Sequence, residues 1–134
     1  MNINKIEHIG IAVKDLEASV RYFEEVFCLK CYAIAEVKDQ KVKTAFFKIG
    51  DSKIELLEST DADGPIARFI EKRGEGFHHI AFAVDHVNNA LDEMKRKGVQ
   101  LVDQSARAGA EGLLIGFLHP KSTFGVLTEF CAHE

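Results

Sequence analysis

Two histidines and two glutamates recur at matching places in this 134-residue chain. The segment EHIGIAV at 7–13 returns as HHIAFAV at 78–84, an offset of 71, so His8 and His79 hold the same place in each copy. Glu55 in KIELLE and Glu129 in LTEFC follow those histidines by 47 and 50 residues. Each glutamate lies in a mostly apolar segment, where a carboxylate is costly unless it is paired or coordinated. Brought together by the pseudo-twofold repeat, two neutral imidazoles and two carboxylates would form a divalent-metal site with open positions. That mixed nitrogen and oxygen set suits Zn, Ni, Co, Mn or Fe(II) better than a thiolate-preferring ion. A single buried His or Glu is more often a hydrogen-bonded core residue; the matched recurrence of both types is what favours a metal.

The alternation around the histidines points the same way. In each copy one face carries bulky residues (Ile9, Ile11, Val13; Ile80, Phe82, Val84) and the other a histidine beside small ones (His8, Gly10, Ala12; His79, Ala81, Ala83). Side chains alternate across a strand, so the bulky face can pack under a helix while the histidine face keeps clearance for a ligand. The pleat sends His78 to the opposite face from His79. His86 and His133 read as solvated. His119, in the turn-like HPK, is either a hydrogen-bonded turn residue or a substrate contact.

Helices and strands must hold these residues in place. After the first repeat, Leu16, Val20, Phe23 and Phe27 fall at helical spacing; after the second, Val87, Leu91 and Met94 do. Asp15 and Asp85 stand where N-caps belong. Strands are predicted at about 31–38, 42–49 and 52–59, the last two divided by a Gly50-Asp51 turn, and more weakly at about 99–103, 113–119 and 125–131. Between them Pro65 opens a short helix. The reading is α+β: two β-α-β-β-β modules, about 1–60 and 77–134, joined by a helix at about 64–73, making a single domain over 1–134. The phenylalanines, among them Phe77, Phe117 and Phe124, fit core packing better than cleft lining.

Composition excludes several classes. Net charge is −4 and the pI near 5.9, against a nucleic-acid or anionic-membrane footprint. No apolar run approaches the roughly 20 residues of a membrane span. The polar start MNINKIEHIG lacks a secretion signal's order, so a cytoplasmic protein is expected. Cys28 and Cys31 form a C-x-x-C that closes a helix instead of opening one, and Cys131 stands alone, so reduced thiols are expected. KRKG at 95–98 reads as the solvated end of a helix.

On these residues the chain resembles the vicinal-oxygen-chelate superfamily (glyoxalase, bleomycin-resistance and dioxygenase proteins). Its members pair such modules into a curved mixed sheet around a metal-binding cleft. EHIGIAVKDLEASVRYF, IELLE, GPIARFI, GEGFHHIAFAVD, GAEG and FLHPKSTFGVLTEF are similar, in the same order, to segments of the methylmalonyl-CoA epimerase family. The resemblance implies a divalent metal (Co, Mn, Ni or Zn) on His8, Glu55, His79 and Glu129. It also implies interconversion of (2R)- and (2S)-methylmalonyl-CoA by proton abstraction at C2, through an enediolate stabilised by the metal. Glu129, with Glu55 second, is the expected proton-transfer group, and Lys121 a partner for the substrate carboxylate.

The sequence departs from the family pattern in two places. Glu55 stands where some epimerases have glutamine, a set similar to glyoxalase I (lactoylglutathione lyase), which isomerises a glutathione hemithioacetal. Thr44 stands where some members carry a proton-transfer glutamate, which places Thr44 against the substrate instead. For the glyoxalase reading Arg21, Arg68, Arg73, Arg96 and Arg107 are available to hold glutathione carboxylates. A non-catalytic binding protein of the same fold is a third reading, disfavoured by retention of all four metal candidates. Extradiol dioxygenases, with two histidines and one glutamate, are disfavoured by Glu55. The resemblance further implies a small thioester substrate and a homodimer, with no nucleic acid and no membrane.

Overall fold

The computed structural model describes residues 1–134. Eight strands are formed: β1 Lys5–Ala12, β2 Cys31–Val37, β3 Val42–Ile49, β4 Ser52–Ser59, β5 Gly76–Ala83, β6 Arg107–Ala108, β7 Leu114–Leu118 and β8 Thr128–Ala132. Three helices accompany them: α1 Leu16–Phe27, α2 Pro65–Arg73 and α3 Val87–Arg96. No helix is long and apolar enough to cross a membrane. The chain divides into two compact units, Ile9–His78 and Met1–His8 with His79–Glu134, so β1 contributes to both.

In the Ile9–His78 unit the strand order is β2-β3-β4-β1. β2, β3 and β4 are antiparallel neighbours, with Thr44 opposite Leu57 and Phe46 opposite Glu55. Gly50, at φ +57°, makes the expected two-residue turn from β3 to β4. α1 starts where Asp15 accepts from the Ala18 amide at 3.0 Å, and stops where Cys28 turns left-handed. Its apolar stripe buries Leu16 with Val20 and Phe23 against Val13, Ala45, Phe47 and Leu56. α2 opens with Pro65 at its first turn and packs Ile66, Phe69 and Ile70 with Ala12, Val42 and Leu57.

In the other unit the order is β1-β5-β8-β7-β6. β5 and β8 run parallel and the remaining registered pairs antiparallel, a mixed arrangement. α3 lays Val87, Ala90, Leu91 and Met94 on Val84, Leu118, Phe130 and Ala132. Gly116 permits this, since a Cβ there would come within 2.7 Å of Leu91 Cδ1. The alternate residues Ala81, Ile115, Phe117 and Cys131 pack together in a separate cluster with Leu113.

Three sequence expectations fail here. The segment 99–103 is not a strand: Leu101 makes one isolated bridge to Leu118, and the amides of Val102 and Asp103 both turn to the Phe117 carbonyl, which breaks the ladder. The short edge strand lies instead at Arg107–Ala108. Asp85 does not cap α3; its carboxylate accepts from Asn4, and Glu134 accepts from the Val87 amide in its place. Phe77 is half exposed and Phe124 wholly so, the latter with left-handed backbone in the turn before β8, so neither belongs to a core.

Candidate metal centre

His8 comes from β1, His79 from β5 and Glu129 from β8, all within one unit. Ala81 pairs with Glu129 across β5 and β8, and Phe117 pairs with Glu129 across β7 and β8. Since Ala81 and Phe117 lie on the side of these strands away from α3, parity puts His79 and Glu129 there too. All three side chains are buried. His8 Nε2 and His79 Nε2 stand 3.0 Å apart, with Glu129 Oε2 3.6 Å from the first and Oε1 3.4 Å from the second.

Two of these separations, 3.0 and 3.4 Å, fit a shared cation, and the 3.6 Å one is slightly longer. Two ligands at about 2.1 Å from one ion stand about 3.0–3.4 Å apart for angles between square and tetrahedral. The polar inventory agrees, because Glu129 Oε2 is buried without a hydrogen-bond partner. Such an oxygen costs about 1–3 kcal/mol unless something occupies it.

Glu7 is the functional candidate that sequence reasoning missed. It is buried, and its Oε1 lies 2.6 Å from His8 Nδ1. With Nδ1–H donating to that carboxylate, the His8 Nε2 lone pair faces His79 and Glu129, the tautomer that a metal ligand needs. The available signal was an acid directly before a candidate ligand histidine in β1. Cys131 Sγ also comes close: with Glu7 and His8 it offers ligand atoms within 4.8 Å of one another.

Glu55 and Thr44 belong to the other unit. Both are buried, and through the Phe46–Glu55 and Thr44–Leu57 pairs they share a face of the β3–β4 ladder. His119 takes its turn role, capping a short 3-10 turn by accepting from the Lys121 amide at 3.1 Å; Lys121 is exposed. His78 packs edge-on against Phe69 at 4.8 Å, and burial pushes its pKa down to about 4, so it is neutral at neutral pH. His86 meets Glu134 at 3.2 Å on the surface, and His133 is exposed. None of the three cysteines is in a disulfide, and the 95–98 run is exposed.

Comparison with known proteins gives the class. The chain belongs to the Glyoxalase/Bleomycin resistance protein/Dioxygenase superfamily, which residues 7–117 match. Among individual proteins it is 41% identical to the uncharacterized protein YqjC of Bacillus subtilis, over 96% of this chain and 92% of that one. It is 34% identical to the ethylmalonyl-CoA/methylmalonyl-CoA epimerase of Cereibacter sphaeroides, over 95% and 96%. A variant of the Streptomyces coelicolor methylmalonyl-CoA epimerase, solved in complex with 2-nitronate-propionyl-CoA, superposes with a TM-score of 0.95. It shares 36% identity, over 98% of this chain and 95% of that one. The paired-module α+β fold expected from the sequence is therefore that of its relatives.

Proposed function

We propose that this protein is a divalent-metal-dependent isomerase that interconverts (2R)- and (2S)-methylmalonyl-CoA by moving the C2 proton. The observation that carries the reading is the convergence of His8, His79 and Glu129 around one unpartnered carboxylate oxygen. The epimerase relatives supply the substrate class. Glu55 is assigned as the fourth ligand on the strength of the repeat, and the metal is Co, Mn, Ni or Zn.

When bound, such a cation supplies Lewis acidity that draws off negative charge developing on the thioester oxygen. The chain's own residues do the rest. Glu7 holds the His8 ring, and Phe117 stands edge-on to His79 at 5.6 Å, so neither imidazole is free to swing. Burial keeps bulk water from the carbanion. Glu129 takes the C2 proton from one face, and return of a proton to the opposite face inverts the centre. Glu55 is the second proton-transfer group, on the face where Thr44 offers its hydroxyl to the substrate. Lys121 is assigned to the substrate carboxylate and His119 to a further substrate contact.

The test is hydrogen exchange at C2 of methylmalonyl-CoA in deuterated buffer, with protein loaded in turn with each metal. Exchange is expected with at least one of them and is abolished by His79→Ala and by Glu129→Ala. No exchange with any metal overturns the reading. A homodimer is part of the proposal and predicts a sedimentation mass twice 14.9 kDa.

A further inference from the structure

Arg107 is held in a way that its surface position does not require. Its Nε donates to Asp103 Oδ1 at 3.0 Å, while Asp103 Oδ2 accepts from the Phe117 amide at 2.9 Å. The guanidinium carbon sits 5.6 Å from the centre of the Phe117 ring, and that ring in turn stands 5.6 Å from His79. One carboxylate thus fixes one edge of the guanidinium and one aromatic ring covers a face. Neither Nη group has a protein partner, and the side chain is 41% exposed. Ordering a long side chain costs conformational entropy, and an isolated exposed ion pair returns little.

The other arginines are occupied or remote from the centre. Arg21 pairs with Glu17 on the outside of α1, Arg68 gives two bonds to the Asp63 carbonyl, and Arg73 lies over Phe69. Arg96 is exposed in the last turn of α3. Arg107 alone stands on a ring that touches a residue of the metal cluster. That cluster is rich in carboxylate and the whole chain carries −4, so an anionic substrate needs a local cation to approach it.

We infer that Arg107, clamped by Asp103 and Phe117, is an oxyanion-binding subsite beside the metal centre that takes a carboxylate or phosphate of the substrate through its Nη groups. The planar fork suits either group. The inference rests on reading His8, His79 and Glu129 as the catalytic centre.

Calorimetric titration of the metal-loaded protein tests it with three probes: methylmalonyl-CoA, methylmalonyl-pantetheine (no phosphates) and propionyl-CoA (no free carboxylate). Arg107→Gln is expected to weaken methylmalonyl-CoA binding by roughly ten- to a hundredfold, the usual worth of charged hydrogen bonds. Arg107→Lys should restore only part, because the charge returns without the fork. Loss with both methylmalonyl compounds but not propionyl-CoA identifies the carboxylate. Loss with both CoA esters but not the pantetheine compound identifies a phosphate. Binding of all three within twofold of wild type in Arg107→Gln overturns the inference. Should the wild type bind none of them, the epimerase reading falls, and S-methylglutathione becomes the probe. Weakening of its binding by Arg107→Gln upholds the subsite for a different substrate; unchanged or absent binding rejects it.

Discussion

Glu7 and Glu129 are both buried carboxylates beside His8, and their surroundings give them different work. Glu7 Oε1 is occupied by the His8 ring N–H at 2.6 Å, so this residue acts through the histidine. Removing its charge should leave the fold intact while weakening the metal's hold, because the ring loses both its fixed tautomer and some basicity. Glu7→Gln is expected to lower metal affinity by roughly ten- to a hundredfold, the range for outer partners of ligating histidines. Competition with a chelator of known affinity measures it. An unchanged affinity would reduce the Glu7 contact to core packing. Glu129 differs in having an oxygen that no protein group satisfies, which makes it the residue whose role depends most on what binds.

The elements show how a fold replaces a local signal with a distant one. Asp15 caps α1 from its own sequence position, whereas α3 is capped by Glu134, 47 residues beyond Val87. Deleting that carboxylate in Glu134→Ala should destabilise the protein by roughly 0.5–1 kcal/mol, the lower part of the capping range because the side chain stays partly solvated. The sign of the pH dependence follows from the bonds. The Val87 amide, then His86, hold the Glu134 carboxyl below its ordinary value, so the contribution is present above about pH 4.5 and fades as pH falls through the lowered pKa. Urea denaturation of wild type and variant at pH 7 and pH 3.5 should show the difference shrinking in acid. A gap that persists undiminished at pH 3.5 would mean that the charge does not cap the helix.

For the whole molecule, the proposed centre would also be a stability device. A metal that binds only the folded chain raises stability by about 2.7 kcal/mol at a hundred times its dissociation constant. It does so while relieving the unpartnered Glu129 oxygen. Thermal unfolding with and without chelator should therefore show a large metal-dependent rise in wild type. In Glu129→Gln the metal-free protein should melt no lower than metal-free wild type, since a buried charge is gone, and the metal-dependent rise should be lost. A variant whose metal-free form melts well below wild type would show that Glu129 is a structural core residue first.

Much of this was legible in the chain because repetition and periodicity are local. The recurrence of HI-x-x-AV placed His8 and His79 on equivalent strands, and apolar spacing marked α1 and α3 as the helices that follow them. The Gly50 turn fixed the register of β3 and β4. What only the tertiary structure decided are contacts between residues far apart in sequence. His8 Nε2 meets His79 across 71 positions, Glu134 reaches back to α3, and the 99–103 segment leaves its ladder because two amides share one Phe117 carbonyl. Residue types and spacing determine which face a side chain occupies. Which neighbour satisfies its polar atoms depends on how strands pair and helices pack, and so the contacts of Glu7, Asp103 and Arg107 are set only in three dimensions.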